Sequence, residues 1–233
     1  MHRLKNLFSK KIAPLNGKSN QNYPYNIQYY SMTEQKFPPN YDPNFGFFEI
    51  QCDWLIKYMD DKALHLDNLI DDDFIDAIRL LYKSEHYVSA MKLLMICIDT
   101  ISYLEYGDNN GSFKKWINTY SDLKRLKITT SELWEFRNSI LHMTNLDSRK
   151  VIANKEKRLF FYVAHPKTPS FREDEEGKYF NFLDLLTSIT NGIQKWGESF
   201  NTEREKFECF VTRYDRIISD KRMAHIKFKE IIK

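Results

Sequence analysis

The sequence predicts a mainly α-helical fold, an all-α bundle with room for one small β-hairpin around residues 157–182. Three observations predict it. Glycine and proline number only seven each among 233 residues, too few for the many tight turns of an all-β design. After Phe47, apolar residues recur mostly at three- and four-residue steps, the period of an amphipathic helix. One stretch, Tyr87 to Leu104, is apolar almost all round, and such a helix buries most of its faces at the centre of a bundle.

In chain order, residues 1–45 read as an extended or poorly ordered leader, punctuated by Pro14, Gly17, Pro24, Pro38, Pro39 and Pro43. Its first residues, Met1 to Ile12, are weakly amphipathic and suit a short surface helix. Residues 46–233 read as a single helical domain. Phe47, Ile50, Trp54, Leu55 and Tyr58 mark its first helix. Asp71, Asp72 and Asp73 place negative charge where a second helix, carrying Phe74, Ile75, Ile78 and Leu81, would begin in solvent. After the central helix, Gly107 to Gly111 forms a loop, with Ser112 as the N-cap of a helix striped by Phe113, Trp116, Ile117 and Tyr120. Thr129 and Glu132 stand in capping-box spacing ahead of a helix running to about Asn145. Arg158 to Val163 is rich in strand formers, and Tyr179 to Phe182 can pair back on it across an acidic loop. Two helices close the chain, one through Leu183 to Trp196 and one through Phe207 to Ile218.

Charge and cysteine usage narrow the function classes. The formal net charge is +3, too mild to announce nucleic-acid binding by itself. Residues 1–45 carry six Lys/Arg against Glu34 and Asp42, a net of +4, which leaves −1 for the rest. Cys52, Cys97 and Cys209 are widely spaced and form neither a disulfide framework nor a zinc ribbon. The longest strongly apolar run, Leu93 to Ile98, is six residues, far short of a membrane span, and the first residues, interrupted by Lys5, Lys10 and Lys11, lack the apolar core of a signal peptide. The expectation is a reduced, cytoplasmic protein. No phosphate-binding glycine loop, zincin helix or nucleophile elbow occurs. The six histidines are scattered, and neither a metal nor a cofactor is expected.

One segment invites chemistry: Glu135-Phe136-Arg137-Asn138-Ser139-Ile140-Leu141-His142. On an ideal α-helix Arg137 falls inside the apolar arc of Leu133, Trp134, Ile140 and Leu141. Asn138 and His142, four apart, share another face. A buried cation needs a reason. Either an acid answers it, and the central helix offers Asp99, or the arc is a dimer groove that binds an anion. The same wheel separates Arg137 from His142 by about 140°, which hinders a joint grip on one phosphate within one chain.

Arg137-Asn138 followed by His142 resembles the R-x4–6-H signature of the HEPN superfamily. The apolar helix through Asp99 and the Trp116 helix before it are similar to the family's layout, over about residues 68–145. The resemblance implies a HEPN-like helical bundle and a metal-independent endoribonuclease of the toxin or phage-defence kind. It implies a homodimer joined through the Arg137–His142 helix, an RNA substrate, and an antitoxin or inhibitor protein as a further partner. His142 would serve as general base or acid and Arg137 would hold the scissile phosphate. Asn138 would orient His142 or the substrate, and Asp99 would anchor from behind. The products would be 2′,3′-cyclic phosphate and 5′-hydroxyl ends. Position 144 is Thr, where a subgroup of the family regulated by nucleotide attachment has tyrosine. The alternatives are a catalytically inactive HEPN-fold dimeric binding or regulatory module, and an unrelated helical interaction protein.

Overall fold

The computed structural model describes residues 11–12, 57–58, 63–143, 145–163, 171–203 and 205–217. His165 and nearly all of the leader and of the helix expected from Phe47 lie outside them. The described fold is mainly helical with a small three-stranded sheet.

A two-residue strand, β1 (Lys11–Ile12), runs parallel to β2 (Ala63–Leu64), so a helix at the N-terminus does not extend through these two residues. A first helical rod follows: α1 (Leu66–Ile70), a π-helical turn (Asp71–Ile75) and α2 (Asp76–Lys83). Asp71 to Asp73 therefore lie in mid-rod, not at the solvated helix start that their sequence suggests. Leu66, Leu69 and Ile70 are buried and supply an apolar anchor on their N-terminal side, which extends the helix past the acidic triplet. Asp72 and Asp73 turn inward and accept hydrogen bonds from the Tyr58 (2.7 Å) and Tyr214 (2.5 Å) hydroxyls.

The core helix is α3 (Tyr87–Tyr106). By length and composition it would pass for a membrane span. Here it is the bundle's centre, with Ala90, Met91, Leu94, Met95, Cys97, Ile98, Ile101, Ser102 and Leu104 all buried. It packs against α2, against α4 (Ser112–Tyr120) and against α8 (Lys206–Tyr214). His86 precedes it exposed and makes no side-chain cap. Nor is Ser112 the cap of α4. Gly111 occupies that position with φ +91°, and the Ser112 hydroxyl instead donates to the Gly107 and Asn109 carbonyls. Leucine-sized and larger side chains buried here contribute ~1.5–3 kcal/mol each, and Trp116 and Trp196 are fully buried. Gly192 on α7 (Phe182–Ser199) lets Trp116 approach, since a Cβ there would meet its ring at 3.0 Å.

Beyond α5 (Thr130–Asn138), a π turn (Ser139–Met143) and the short α6 (Arg149–Ile152), the chain forms a sheet of order β3-β5-β4. The sequence suggests that Arg158–Val163 and Tyr179–Phe182 form a hairpin. Instead β3 (Leu159–Tyr162) and β5 (Lys178–Asn181) run parallel, and the hairpin is made by β4 (Phe171–Glu173) with β5. The acidic loop is the tight turn between these last two, closed by Asp174 accepting from the Glu176 and Gly177 amides. Because β4 reverses the chain first, β5 returns in the direction of β3 and covers its open edge. Phe180, fully buried, stands opposite Phe161 on β3 and Phe171 on β4.

Burial pushes the Asp71 carboxyl up to about 6 from 3.8, with Asp76, Asp67 and Asp72 adding to the rise and Arg79 opposing it. A raised acid keeps its proton in the fold where the unfolded chain has lost it. Stability from this group therefore falls as pH rises from 3.8 to about 6 and stays reduced above. Asp71→Asn should raise Tm at pH 7.5, with a gain that shrinks towards zero near pH ~4. Equal gains at both pH values in thermal melts would show that the ionised carboxylate is not the cause.

Candidate functional site

The site is built where α5 crosses the solvent-side strip of α3. The start of α5 is fixed first. Thr129 accepts from the Glu132 amide (3.1 Å), and Glu132 accepts from the Thr129 amide (2.7 Å), the reciprocal capping box expected from the sequence. Lys178 from β5 adds an ion pair to Glu132 at 2.9 Å, with both side chains largely buried. Leu133 and Phe136 then bury one face of the helix.

Arg137 projects towards α3, and Asp99 meets it. Nε and Nη2 donate to the same oxygen, Asp99 Oδ2, at 2.7 and 2.5 Å. The guanidinium lies over the Trp134 ring at 5.1 Å, a cation–π contact one turn back. Its outer nitrogen, Nη1, donates to Asn138 Oδ1 at 3.0 Å and lies 3.1 Å from His142 Nε2. An arginine nitrogen has hydrogens and no lone pair to offer, so this last contact requires Nε2 to accept, with the imidazole neutral and its proton on Nδ1. The structure thus brings Asp99, Arg137, Asn138 and His142 together in one chain.

The wheel's 140° separation fails for a definite reason. From Ser139 to Met143 the chain leaves the α-helix for a π turn, whose repeat is i to i+5. Arg137 and His142 are five apart, and the wider turn brings the imidazole beneath the guanidinium. The Ser139 hydroxyl, fully buried, donates to the Glu135 carbonyl at 2.9 Å where the turn begins. No periodicity in the sequence marks that change of pitch.

Asp99 is half-buried, and the balance there is set by burial, which raises its carboxyl above the ordinary range. The Arg137 hydrogen bonds and charge pull it back only in part. Arg137 and Asp99 keep 18% and 27% of their side-chain surface, while His142 is exposed. The pair is therefore anchored inside with its outer edge open to a ligand. Glu135, beside His142 on the ideal wheel, is instead buried and paired with Lys150 at 3.1 Å. Among the described residues no group of three or more His, Cys, Asp or Glu could hold a metal ion.

A groove of about 450 Å³ opens next to this cluster, lined by Asp99, Tyr103, Trp134 and Arg137 and by the Gly107–Gly111 loop. Beyond Asp99 and Arg137, the sequence assigned no functional role to the side chains that line the groove. Tyr103 could have been found as the residue one turn beyond Asp99, on the same helix face.

No protein-family model matches the chain, and neither a curated protein nor a solved structure does.

The Asp99–Arg137 pair should act as one unit. Removing either partner leaves a partly buried charge, so Asp99→Ala and Arg137→Ala should each lower unfolding free energy by ~1–3 kcal/mol. The double variant should lose less than the two single losses together, by at least ~1 kcal/mol. Urea unfolding of the four proteins measures this, and strict additivity would mean the contact carries no coupling.

Proposed function

We propose that the chain is a metal-independent endoribonuclease of HEPN type, a cytoplasmic toxin or phage-defence effector acting on RNA. One observation carries the reading. A guanidinium anchored by an acid sits within hydrogen-bond distance of an exposed imidazole.

In this reading a scissile phosphate replaces Asn138 and His142 as the acceptor of the Arg137 Nη1 hydrogens. Asp99 keeps its grip on Nε and Nη2, so the cation stays in place while its acceptors exchange. His142 Nε2, released with its lone pair free, takes the proton of the substrate 2′-hydroxyl. The 2′-oxygen bonds to phosphorus, the bond from phosphorus to the 5′-oxygen breaks, and the leaving oxygen takes up a proton. The products are a 2′,3′-cyclic phosphate and a 5′-hydroxyl. Arg137 offsets the charge that grows on the phosphoryl oxygens between those states. Asn138 holds Nη1 until substrate arrives. A second copy, joined across the Arg137–His142 segment, would supply the imidazolium that protonates the leaving oxygen, and an antitoxin or inhibitor protein would cover the same face.

A second reading has an observation of its own. Four hydrogen bonds from the guanidinium are already made within the chain, as a structural pair would have them. It would leave an inactive HEPN-fold binding or regulatory module.

Cleavage of total cellular RNA in EDTA separates the two readings. Wild type should yield cyclic-phosphate ends, and His142→Ala and Arg137→Ala should each cut at least ~10²-fold more slowly. Arg137→Lys should not restore the rate, because one ammonium cannot hold Asp99 and a phosphate together as a guanidinium does. Variants that stay folded and cut as fast as wild type would end the catalytic reading.

A further inference from the structure

The groove beside Arg137 has three properties that the reaction above does not use. The first is an aromatic wall, the half-buried Tyr103, which packs against the core and lines the groove. Tyr103 lies one helical turn beyond Asp99, about 6 Å along the α3 axis. Its ring pairs with no other ring, and its hydroxyl has no hydrogen-bond partner among the described residues. Trp134, by contrast, is already engaged by Arg137 and by Phe113, whose ring centre is 5.3 Å away.

The second property is a preformed opposite wall. Gly107 and Gly111 take φ of +74° and +91°. The Asn109 amide donates to the Gly107 carbonyl at 2.9 Å, and the Ser112 amide to that of Asn109 at 3.1 Å. The Ser112 hydroxyl reaches both of these carbonyls. The loop is thus tied by its own bonds, while Asp108 and Asn110 stand exposed with no partner among the described residues.

The third property is polarity. The groove has a cation at one end, Arg137, and an acceptor-only carboxylate, Asp108, on the loop. A second phosphate would be repelled by Asp108. A flat ring bearing N–H donors would be accepted by it.

We infer that this groove seats an unpaired nucleobase adjacent to the phosphate held by Arg137, stacked on Tyr103 with its Watson–Crick edge towards Asp108, and that guanine is preferred. The inference rests on the reading of RNA as substrate and adds the base that the site selects. Single-stranded bases stack readily on aromatic side chains that line a groove. Guanine alone presents two adjacent donors, N1–H and N2–H, on that edge, matching the two oxygens of one carboxylate. Asn110 lies beside Asp108 and offers a donor to the guanine carbonyl.

The test is binding, so that it does not depend on turnover. Full-length protein carrying His142→Ala is titrated into fluorescently labelled hexauridylate and into the same hexamer with one internal guanosine, and anisotropy is read. The guanosine oligomer should bind more tightly. Tyr103→Leu, which keeps apolar bulk without a ring, should weaken binding about 5- to 100-fold, and Tyr103→Phe should retain it. Asp108→Asn should erase the difference between the two oligomers. Thermal melts must first show that each variant is folded. Unchanged binding by Tyr103→Leu, or no binding of either oligomer, overturns the subsite. Equal affinity for the two oligomers overturns the guanine assignment. The two readings can fail separately. Tyr103-dependent binding by a protein that cuts no RNA keeps the subsite and removes the nuclease. RNA cleavage whose KM is unmoved by Tyr103→Leu does the reverse.

Discussion

Two acids on the largely apolar helix α3, Asp99 and Glu105, set the arrangement of the segments that pack around it. A carboxylate on the central helix of a bundle must be answered by a cation or by hydrogen bonds, and Asp99 and Glu105 are each answered by a distant segment. Asp99 draws in Arg137 from α5. Glu105 draws in Lys206 from α8 at 2.8 Å, with Tyr120 and Trp196 donating to it at 2.7 and 2.9 Å. Burial alone would raise the Glu105 carboxyl, but the bonds from Lys206, Tyr120 and Trp196 together hold it below the usual range. Arg213 adds a third tie, donating to the Leu104 and Glu105 carbonyls at the end of α3, where the helix dipole favours a cation. The Glu105 set is closed on itself and works as a staple. The Asp99 set keeps its outer edge, with the exposed His142, at the surface.

Much of this was legible in the sequence, and the reasons are local. The Thr129–Glu132 capping box needs only a three-residue spacing to be seen. The all-round apolar character of Tyr87 to Leu104 announces a core helix, because no exposed face could hold it. An arginine amid Leu133, Trp134 and Ile140 calls for either an acid partner or a bound anion, and Asp99 is the one acid between Tyr87 and Leu104.

What was not legible depends on pitch and on long-range pairing. Both π turns, at Asp71–Ile75 and at Ser139–Met143, break the assumption of 100° per residue. The first hid the inward roles of Asp72 and Asp73. The second made Arg137 and His142 look mispositioned when they are adjacent. Likewise the parallel pairing of β3 with β5 follows from the intervening β4, whose three residues carry too little pattern to be read as a strand. The ion pair of Lys178 with Glu132 spans 46 residues and leaves no local trace.

That last pair explains why the sheet is attached to this helix at all. Lys178 is the first residue of β5, and it joins Glu132 and the Lys127 carbonyl at the same point. Gly177, just before it, sits where a Cβ would come within 2.4 Å of the Arg158 carbonyl oxygen, so only glycine lets β5 enter close enough to β3 for Lys178 to reach α5. The helix is thus fixed at its start by the capping box and the sheet, and along its length by the Glu135–Lys150 pair. At its end the Ser139 hydroxyl ties the opening of the π turn. With backbone and anchor both held, the change that a bound anion demands is confined to the acceptors of one nitrogen, Arg137 Nη1. Under the proposed function, a site that reorganises so little on binding would retain more of the interaction energy for the bound state, and four modest polar residues on the rim of an apolar bundle would then suffice to hold a phosphate.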